Sequence, residues 1–296
     1  MATKRSWQRV DGVLLLDKPS GITSNAALQS ARRLFSAAKA GHTGTLDPLA
    51  TGLLPLCFGE ATKFSADLLE ADKTYEADIL FGATTDTGDS DGTVLERRPV
   101  EFSRQDLEAV LPQFRGLIRQ IPPMYSALKR DGKPLYELAR QGIEVERAAR
   151  EVTIHTLDLL NLAEDRCRLR VSCSKGTYIR TLAEDIGAML ACGAHLTALR
   201  RTQVGPLRVT DALTLEQLQL FSEEDKAACL LAPDALLQTV PAVYLDEASA
   251  ARFMHGMAVN AVVPAGRCRV YDSSRLLGLA EADAEGRVHP RRLVGA

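Results

Sequence analysis

The chain has 296 residues, of which 46% are hydrophobic and 25% are charged, and its formal net charge at pH 7 is −2. This length allows one large domain and one small one. No run of about 18 apolar residues occurs, so we expect no membrane span. The N-terminal residues lack the apolar core of a signal peptide. The six cysteines include no CxxC pair, which predicts free thiols and a cytoplasmic protein.

Positive charge is concentrated in the middle of the chain. Residues 115–150 hold eight Lys and Arg against four Asp and Glu, and residues 166–208 hold eight against two. The next segment, 209–247, holds one against eight and masks this excess in the total. A near-neutral total argues against nucleic acid as a ligand. The two basic stretches are nevertheless compatible with a surface that contacts phosphates, or else with solvated charged faces.

The first part of the chain reads as apolar runs separated by turns. The predicted elements are a buried strand at 11–17, a helix at 24–35 capped by Ser24, strands at 53–58 and 74–81, and helical spacing at 61–69. A loop at 84–92 carries three aspartates. Arg97 stands where an EF-hand requires Glu, so this loop predicts a solvated hairpin or loop and no metal site.

The second part predicts helices, longer strands and then a new pattern. The predicted elements are a helix from Ser103, a Pro-rich connection at 120–129, a helix after Lys133-Pro134, strands at 151–160 and 166–174, and a helix at 178–190 capped by Thr177. Helical spacing continues to 240, and a short helix capped by Asp246 then precedes strands at 267–271, 275–280 and 287–294. We therefore predict an α+β fold, with a mostly antiparallel mixed sheet and flanking helices at 1–242. A small module of one short helix and short strands is predicted at 243–296.

The most distinctive stretch surrounds one aspartate. Residues 41–55 place three glycines, two prolines and three threonines around Asp47 and run directly into an apolar segment. Pro48 favours extended backbone at Asp47. A stiff loop beside a buried element is a common way to present one reactive carboxylate. The alternative is a structural turn in which Asp47 bonds nearby amides.

Several blocks in this order resemble the TruB family of tRNA pseudouridine synthases, which modify the T-loop uridine. The blocks are the Asp47 loop, Lys18-Pro19-Ser20-Gly21-Ile22-Thr23-Ser24, residues 59–63, 73–75 and 120–129, and Lys175-Gly176-Thr177-Tyr178-Ile179-Arg180. The resemblance implies an isomerase that converts uridine 55 of the tRNA T-arm stem-loop to pseudouridine without metal or other cofactor. It also implies a small β-barrel-like PUA-type RNA-binding module at 243–296. It further implies a monomer with no obligatory protein partner and no membrane attachment.

The resemblance assigns catalytic roles to three residues. Asp47 is the nucleophile or the base that opens the reaction, and the residues alone leave this choice open. A cation such as Arg180 near a helix start needs an anionic partner. Glu184 at i+4 and Asp47 are both candidates, and the family pattern selects Asp47. Tyr178 supplies a hydroxyl for a hydrogen bond or a proton transfer.

Other residues are expected to contact the RNA. Tyr75 either stacks on the base or packs in its strand, and His42 either fills the space of the flipped base or is structural. Leu199 either contacts the target nucleotide or belongs to the core. Lys18 is either a phosphate ligand or a solvated turn residue. Arg200, with its neighbour Arg201, is expected to bind phosphate.

Three other functions stay open at this point. A non-catalytic RNA-binding or RNA-folding protein would use the loop only to grip RNA. A nucleosidase or glycosidase would release free base, but glycoside hydrolysis normally uses two carboxylates about 5–9.5 Å apart, and the loop offers one. A guide-dependent pseudouridine synthase would act on other RNAs together with partner proteins.

Overall fold

The computed structural model describes residues 6–130 and 132–295. The strands among these residues are β1 Gly12–Lys18, β2 Ala40–His42, β3 Thr51–Phe58, β4 Lys73–Phe81, β5 Ala83–Thr85, β6 Val94–Arg97, β7 Gly116–Gln120, β8 Lys129–Arg130, β9 Lys133–Pro134, β10 Arg150–Ala163, β11 Arg166–Cys173, β12 Ala194–Val204, β13 Leu207–Arg208, β14 Ala242–Tyr244, β15 Val259–Asn260, β16 Gly266–Tyr271, β17 Leu276–Ala282 and β18 Arg287–Leu293. The α-helices are α1 Ser24–Leu34, α2 Ser65–Glu70, α3 Arg104–Val110, α4 Leu135–Ala139, α5 Ile179–Met189, α6 Leu215–Leu220, α7 Glu223–Ala228 and α8 Glu247–Met254. Short 3₁₀ helices lie at Gly59–Lys63, Leu111–Phe114, Val209–Asp211 and Pro233–Leu237.

A nine-stranded mixed sheet forms the centre of the larger part of the chain. Its order is β1-β3-β12-β4-β11-β10-β7, with β2 paired to β3 and β13 paired to β12. The β3–β12 pair is parallel, and the other pairs are antiparallel. This order places β3, which follows the Asp47 loop, beside β12, and β12 beside β4. The predicted α+β class with a mostly antiparallel sheet is confirmed.

Side-chain alternation decides which face of this sheet is buried. In β11 the side chains of Cys167, Leu169, Val171 and Cys173 are at most 3% exposed, as the period of two predicts. They join the main hydrophobic core together with Leu182 and other residues of α5. Burying each large side chain of this kind stabilises the fold by roughly 1.5–3 kcal/mol, so the sheet and α5 hold each other in place.

The parallel contact between β3 and β12 depends on one glycine. Gly52 has φ +99°, and a Cβ added there would lie 2.3 Å from the carbonyl oxygen of Arg201. An L side chain is strained at this φ and has no room here. The close approach brings the Asp47 loop next to β12.

A five-stranded sheet, ordered β14-β16-β17-β18-β15, forms the C-terminal part. Asp246 caps α8 by accepting a hydrogen bond from the Ser249 amide at 2.7 Å, as predicted. Leu276 and Leu279 of this sheet share a hydrophobic cluster with Phe64 and Leu68 of the larger part. The C-terminal sheet is therefore packed directly against the segment that contains α2.

Two predicted helix caps are wrong. Thr23, not Ser24, caps α1, because its side chain accepts from the Ala26 amide. At α5 the N-cap residue is Tyr178, whose side chain makes no capping hydrogen bond. The Thr177 hydroxyl instead donates to the Ser174 carbonyl at 2.9 Å.

The six cysteines are free, and all except Cys229 are buried. No helix in the described ranges is both long enough and apolar enough to span a membrane. Residues 6–130 and 132–295 also contain no group of three or more His, Cys, Asp and Glu that could hold a metal ion. Residues 1–5, which contribute to the expectation about a signal segment, lie outside the described part.

Candidate active site

A cleft of about 260 Å³ opens beside the Asp47 loop. It is smaller than the ~300–1,000 Å³ typical of sites for drug-sized ligands, so its size suits a single base. The residues that line it come from the Asp47 loop, β4, β12, the start of α5 and two connections: Gly44, Thr45, Leu46, Asp47, Leu69, Lys73, Tyr75, Ser126, Ala127, Ser174, Lys175, Gly176, Thr177, Tyr178, Ile179, Arg180, Leu199 and Arg201.

The backbone on both sides of Asp47 is pinned by hydrogen bonds. The Ser24 hydroxyl accepts from the Leu46 amide at 2.8 Å and donates to the Leu46 carbonyl at 2.9 Å. The Gly21 amide donates to the Pro48 carbonyl at 2.8 Å. Ser24 is thus used to hold this loop, which explains why the neighbouring Thr23 caps the helix. Asp47 is presented on a fixed backbone.

Arg180 is held by four partners. Its Nη2 lies 3.0 Å from Asp47 Oδ2, and its Nε lies 3.7 Å from Asp89 Oδ2. Its Nη1 donates to the Thr87 carbonyl at 2.8 Å, and its Nη2 donates to the Tyr125 carbonyl at 2.6 Å. The Arg180 side chain is only 6% exposed. Of the two candidate partners from the sequence, the structure places Asp47 in contact with the guanidinium.

The electrostatics of Asp47 result from opposing effects. Burial raises the pKa of the Asp47 carboxyl, the Arg180 charge and hydrogen bond lower it, and the nearby Asp89 carboxylate raises it further. The net shift of the Asp47 pKa is upward. The side chain retains 40% exposure because the cleft is open on one side. Arg180 therefore favours the ionised form in surroundings that otherwise disfavour it.

Two tyrosines line the cleft, and both are neutral phenols at neutral pH. Burial is the main cause that raises the pKa of Tyr75 and of Tyr178. The backbone of Tyr178 is fixed by Gln120, whose side chain accepts from the Tyr178 amide at 3.1 Å and donates to its carbonyl at 3.3 Å. Gln120 is 2% exposed and belongs to one of the blocks that carried the resemblance.

On β12 the cleft residues are Leu199 and Arg201, and Arg200 does not line the cleft. The Arg200 side chain is 41% exposed, and its role as a phosphate ligand stays a prediction. Arg200 makes a two-pronged contact with Asp17, at 3.0 Å and 2.6 Å. Arg201 is 1% exposed and donates to the carbonyls of Leu53 at 2.8 Å and Gly44 at 3.1 Å. Consecutive strand residues face opposite sides, so Arg201, two positions after Leu199, faces the same side as Leu199. This alternation would have predicted Arg201 and not Arg200 as a cleft residue.

Lys18 is neither a solvated residue nor placed to bind phosphate. It is fully buried. Its ammonium donates to the carbonyls of Pro19 at 2.8 Å, Ile22 at 2.7 Å and Pro48 at 3.4 Å. Burial lowers the pKa of Lys18 to about 8, with partial opposition from the Asp47 charge. Lys18 therefore joins the turn that follows β1 to the Asp47 loop by hydrogen bonds.

His42 lies at the end of β2, two positions before the first cleft-lining residue, Gly44. Its Nδ1 is buried with no hydrogen-bond partner among the described residues. Burial, followed by the Arg201 charge, lowers the pKa of His42, so the ring is neutral at neutral pH.

The sequence analysis assigned no role in the site to two buried charged residues near the cleft, Asp89 and Lys73. The loop at 84–92 connects the β5–β6 hairpin but is not simply solvated, because Asp89 is 5% exposed and lies against Arg180. Lys73 is 7% exposed and lines the cleft, and its ammonium donates to the carbonyls of Leu68 at 3.2 Å and Leu69 at 2.8 Å. A charged residue within an apolar strand or a turn gives no local sign that it is buried.

Comparison with known proteins gives matches along nearly the whole chain. The family model described as TruB family pseudouridylate synthase (N terminal domain) matches residues 32–179. The models for the tRNA pseudouridylate synthase B C-terminal domain and for Pseudouridine synthase II TruB, C-terminal, match residues 180–242 and 241–294.

Curated relatives extend these matches. The tRNA pseudouridine synthase B of Dechloromonas aromatica is 59% identical over 295 residues, covering 99% of both chains. The protein of the same name from Aromatoleum aromaticum is 57% identical over 286 residues, covering 96% of this chain and 93% of its own. A chain from a crystal structure of a Cbf5-Nop10-Gar1 complex shares the fold, with a TM-score of 0.74 at 24% identity, over 95% of this chain and 84% of that one. The chain belongs to the TruB family of pseudouridylate synthases and is a pseudouridine synthase.

Proposed function

We propose that this enzyme converts the T-loop uridine at position 55 of tRNA to pseudouridine. Relatives named tRNA pseudouridine synthase B support tRNA as the substrate. The observation that carries the mechanism is the 3.0 Å contact between Asp47 and Arg180 in a cleft sized for one base.

The reaction changes which uracil atom is bonded to the ribose. The bond between ribose C1′ and uracil N1 breaks, and a bond between C1′ and C5 forms. N1 gains a proton and C5 loses one, so the RNA keeps its composition and no electrons are transferred. The Asp47 carboxylate opens this exchange in its ionised form, and Arg180 maintains that form against burial.

Base flipping supplies the substrate to the cleft. A uridine in a folded loop presents its reacting atoms only when it leaves the stack. We assign the Tyr75 ring to stacking on the extruded uracil and the neutral Tyr178 hydroxyl to hydrogen bonding or proton transfer. Leu199 supplies an apolar contact on the β12 side, and His42 fills the space that the base leaves.

We also propose a domain division, a cellular location and an oligomeric state for this enzyme. Residues 1–242 form the catalytic domain, and residues 243–296 form a PUA-type RNA-binding module. The enzyme acts in the cytoplasm as a monomer without an obligatory protein partner. The basic stretches 115–150 and 166–208 contribute contacts to the RNA phosphates.

The test is release of tritium from a T-arm stem-loop that carries C5-tritiated uridine, with purified protein alone. Wild-type protein is expected to release tritium, and Asp47→Asn is expected to release none while it still binds the RNA. Asp158→Asn, at an exposed position of β10, is the matched control and should behave as wild type. Unchanged RNA mass separates isomerisation from base release, and activity without a guide RNA separates this enzyme from guide-dependent relatives. Tritium release that survives in Asp47→Asn would refute the role of Asp47.

A further inference from the structure

The segment that joins β3 to β4 links the C-terminal sheet to the cleft. We call residues 59–73 the connecting segment; it contains the 3₁₀ helix Gly59–Lys63, α2 and the first residue of β4. Leu69 and Lys73 of this segment line the cleft. Its other side contacts residues that follow β14.

Hydrogen bonds and an ion pair join the connecting segment to the C-terminal part. Lys63 Nζ donates to the Leu293 carbonyl at 2.9 Å, and the Gly295 amide donates to the Glu60 carboxylate. Arg267 of β16 forms a two-pronged ion pair with Asp67 of α2, one arm of which is 3.0 Å long. The Asp67 side chain is only 10% exposed, which shields this pair from solvent on one side.

Apolar packing adds to these polar contacts between the connecting segment and the C-terminal part. Phe64 is fully buried and Leu68 is 3% exposed. Both belong to the same cluster as Leu276 and Leu279 of β17. Because cores are packed densely and transmit displacement, a shift of the C-terminal sheet would move α2 as well.

Lys73 connects the end of α2 to the cleft. Its ammonium donates to the carbonyls of Leu68, Leu69 and Ala71, at the C-terminal end of α2. A cation is favourable at this end of a helix, where carbonyls lack intrahelical partners. Tyr75 lies two residues further along the same strand and also lines the cleft. Lys175 of the cleft rim pairs with Glu70 of α2, which ties the helix to the other wall.

We propose that the C-terminal module is a positioning element of the active site, and that Arg267 acts through Asp67 as a positioning residue. The ion pair between Arg267 and Asp67 holds α2 in position. Leu69, Lys73 and Tyr75 thereby keep their positions around the base. The inference rests on the proposed assignment of the cleft as the active site. It gives the C-terminal module a role in turnover in addition to RNA binding.

The test uses the full chain and compares Arg267→Ala with Arg275→Ala. Arg275 belongs to the same module, and its ion-pair partner Asp272 lies in that module too, at 3.5 Å. Single-turnover rates at saturating T-arm RNA, RNA affinity and amide hydrogen exchange of α2 are measured for each. Since partly exposed ion pairs contribute modestly, we expect Arg267→Ala to lower the rate about threefold and to speed exchange in α2 by a similar factor. RNA affinity should be unchanged in Arg267→Ala, and Arg275→Ala should match wild type in the saturated single-turnover rate and in the hydrogen exchange of α2.

Asp67→Asn should reproduce the effect of Arg267→Ala, and the double variant should be no slower than either single one, because both changes break the same contact. Arg267→Ala that weakens RNA binding without changing the saturated rate would overturn the proposal, and so would equal rates for the two arginine variants. Activity that persists in Asp47→Asn would instead refute the assignment of the cleft, so the two failures are distinguishable.

Discussion

The Arg180 guanidinium contacts the Asp47 carboxylate at 3.0 Å while the backbone carbonyls of Thr87 and Tyr125 accept its other hydrogen bonds. The orientation of Arg180 is therefore set by the protein before substrate arrives. This arrangement favours the ionised carboxylate in a cleft whose burial favours the protonated acid.

Arg180→Lys is expected to slow the saturated reaction about 10- to 100-fold, because an ammonium cannot keep all these charge-assisted hydrogen bonds. Arg180 lowers the pKa of Asp47 through its charge and its hydrogen bond. Lysine keeps the charge but weakens the hydrogen bond, so the pKa of Asp47 rises further and the acid limb of activity shifts to higher pH. The loss should be greater at the acid end of the pH profile than at its alkaline end in single-turnover assays. Arg168→Lys, which changes an exposed pair with Asp78 on the sheet surface, is the control. A pH-independent loss would contradict the electrostatic role.

Tyr75→Ala is expected to lower the single-turnover rate about 10- to 100-fold, since stacking of a base on an aromatic ring contributes roughly 1–3 kcal/mol. Tyr75→Phe keeps the ring and should retain most of the rate. If Tyr75→Phe were as slow as Tyr75→Ala, the hydroxyl and not the stacking face would be the functional group.

Glu184→Gln is expected to raise the melting temperature at pH 8 and to leave it nearly unchanged at pH 4. Burial raises the pKa of Glu184 from 4.5 to about 7, against the opposing charge of Arg180. The folded state therefore binds the proton more tightly than the unfolded state, and wild-type stability falls as pH rises from about 4.5 to about 7. Above that range the cost of the ionised group is fully present, and glutamine removes it. Glu223→Gln, at a side chain 76% exposed, should show no such pH-dependent gain.

Gly52→Ala is expected to cost more folding free energy than Gly256→Ala in urea unfolding. Both glycines have positive φ, but a Cβ at Gly52 meets the Arg201 carbonyl at 2.3 Å, whereas one at Gly256 meets nothing within 4 Å. The left-handed conformation alone costs about 1–2 kcal/mol, so the difference between the variants isolates the steric clash. Equal costs would show that β3 and β12 can separate without penalty.

Much of the fold follows from patterns that are local in the chain. The alternation in β11 and the cap at Asp246 appear where the sequence predicts them, because side-chain period and capping depend on residues a few positions apart. The caps assigned to Ser24 and Thr177 are wrong for the opposite reason. Their hydroxyls bind backbone outside the helix, at Leu46 in one case and Ser174 in the other.

The sequence by itself grouped Asp47, Tyr75 and Tyr178, because each stands in a block that resembles one family, and all three line the cleft. Only the tertiary structure decided the surroundings of the charged residues. In the structure Arg200 pairs with Asp17, Lys18 is buried, and Asp89 lies against Arg180. A residue type shows which charge is available, but burial and partners depend on neighbours far apart in the chain, which only folding brings into contact.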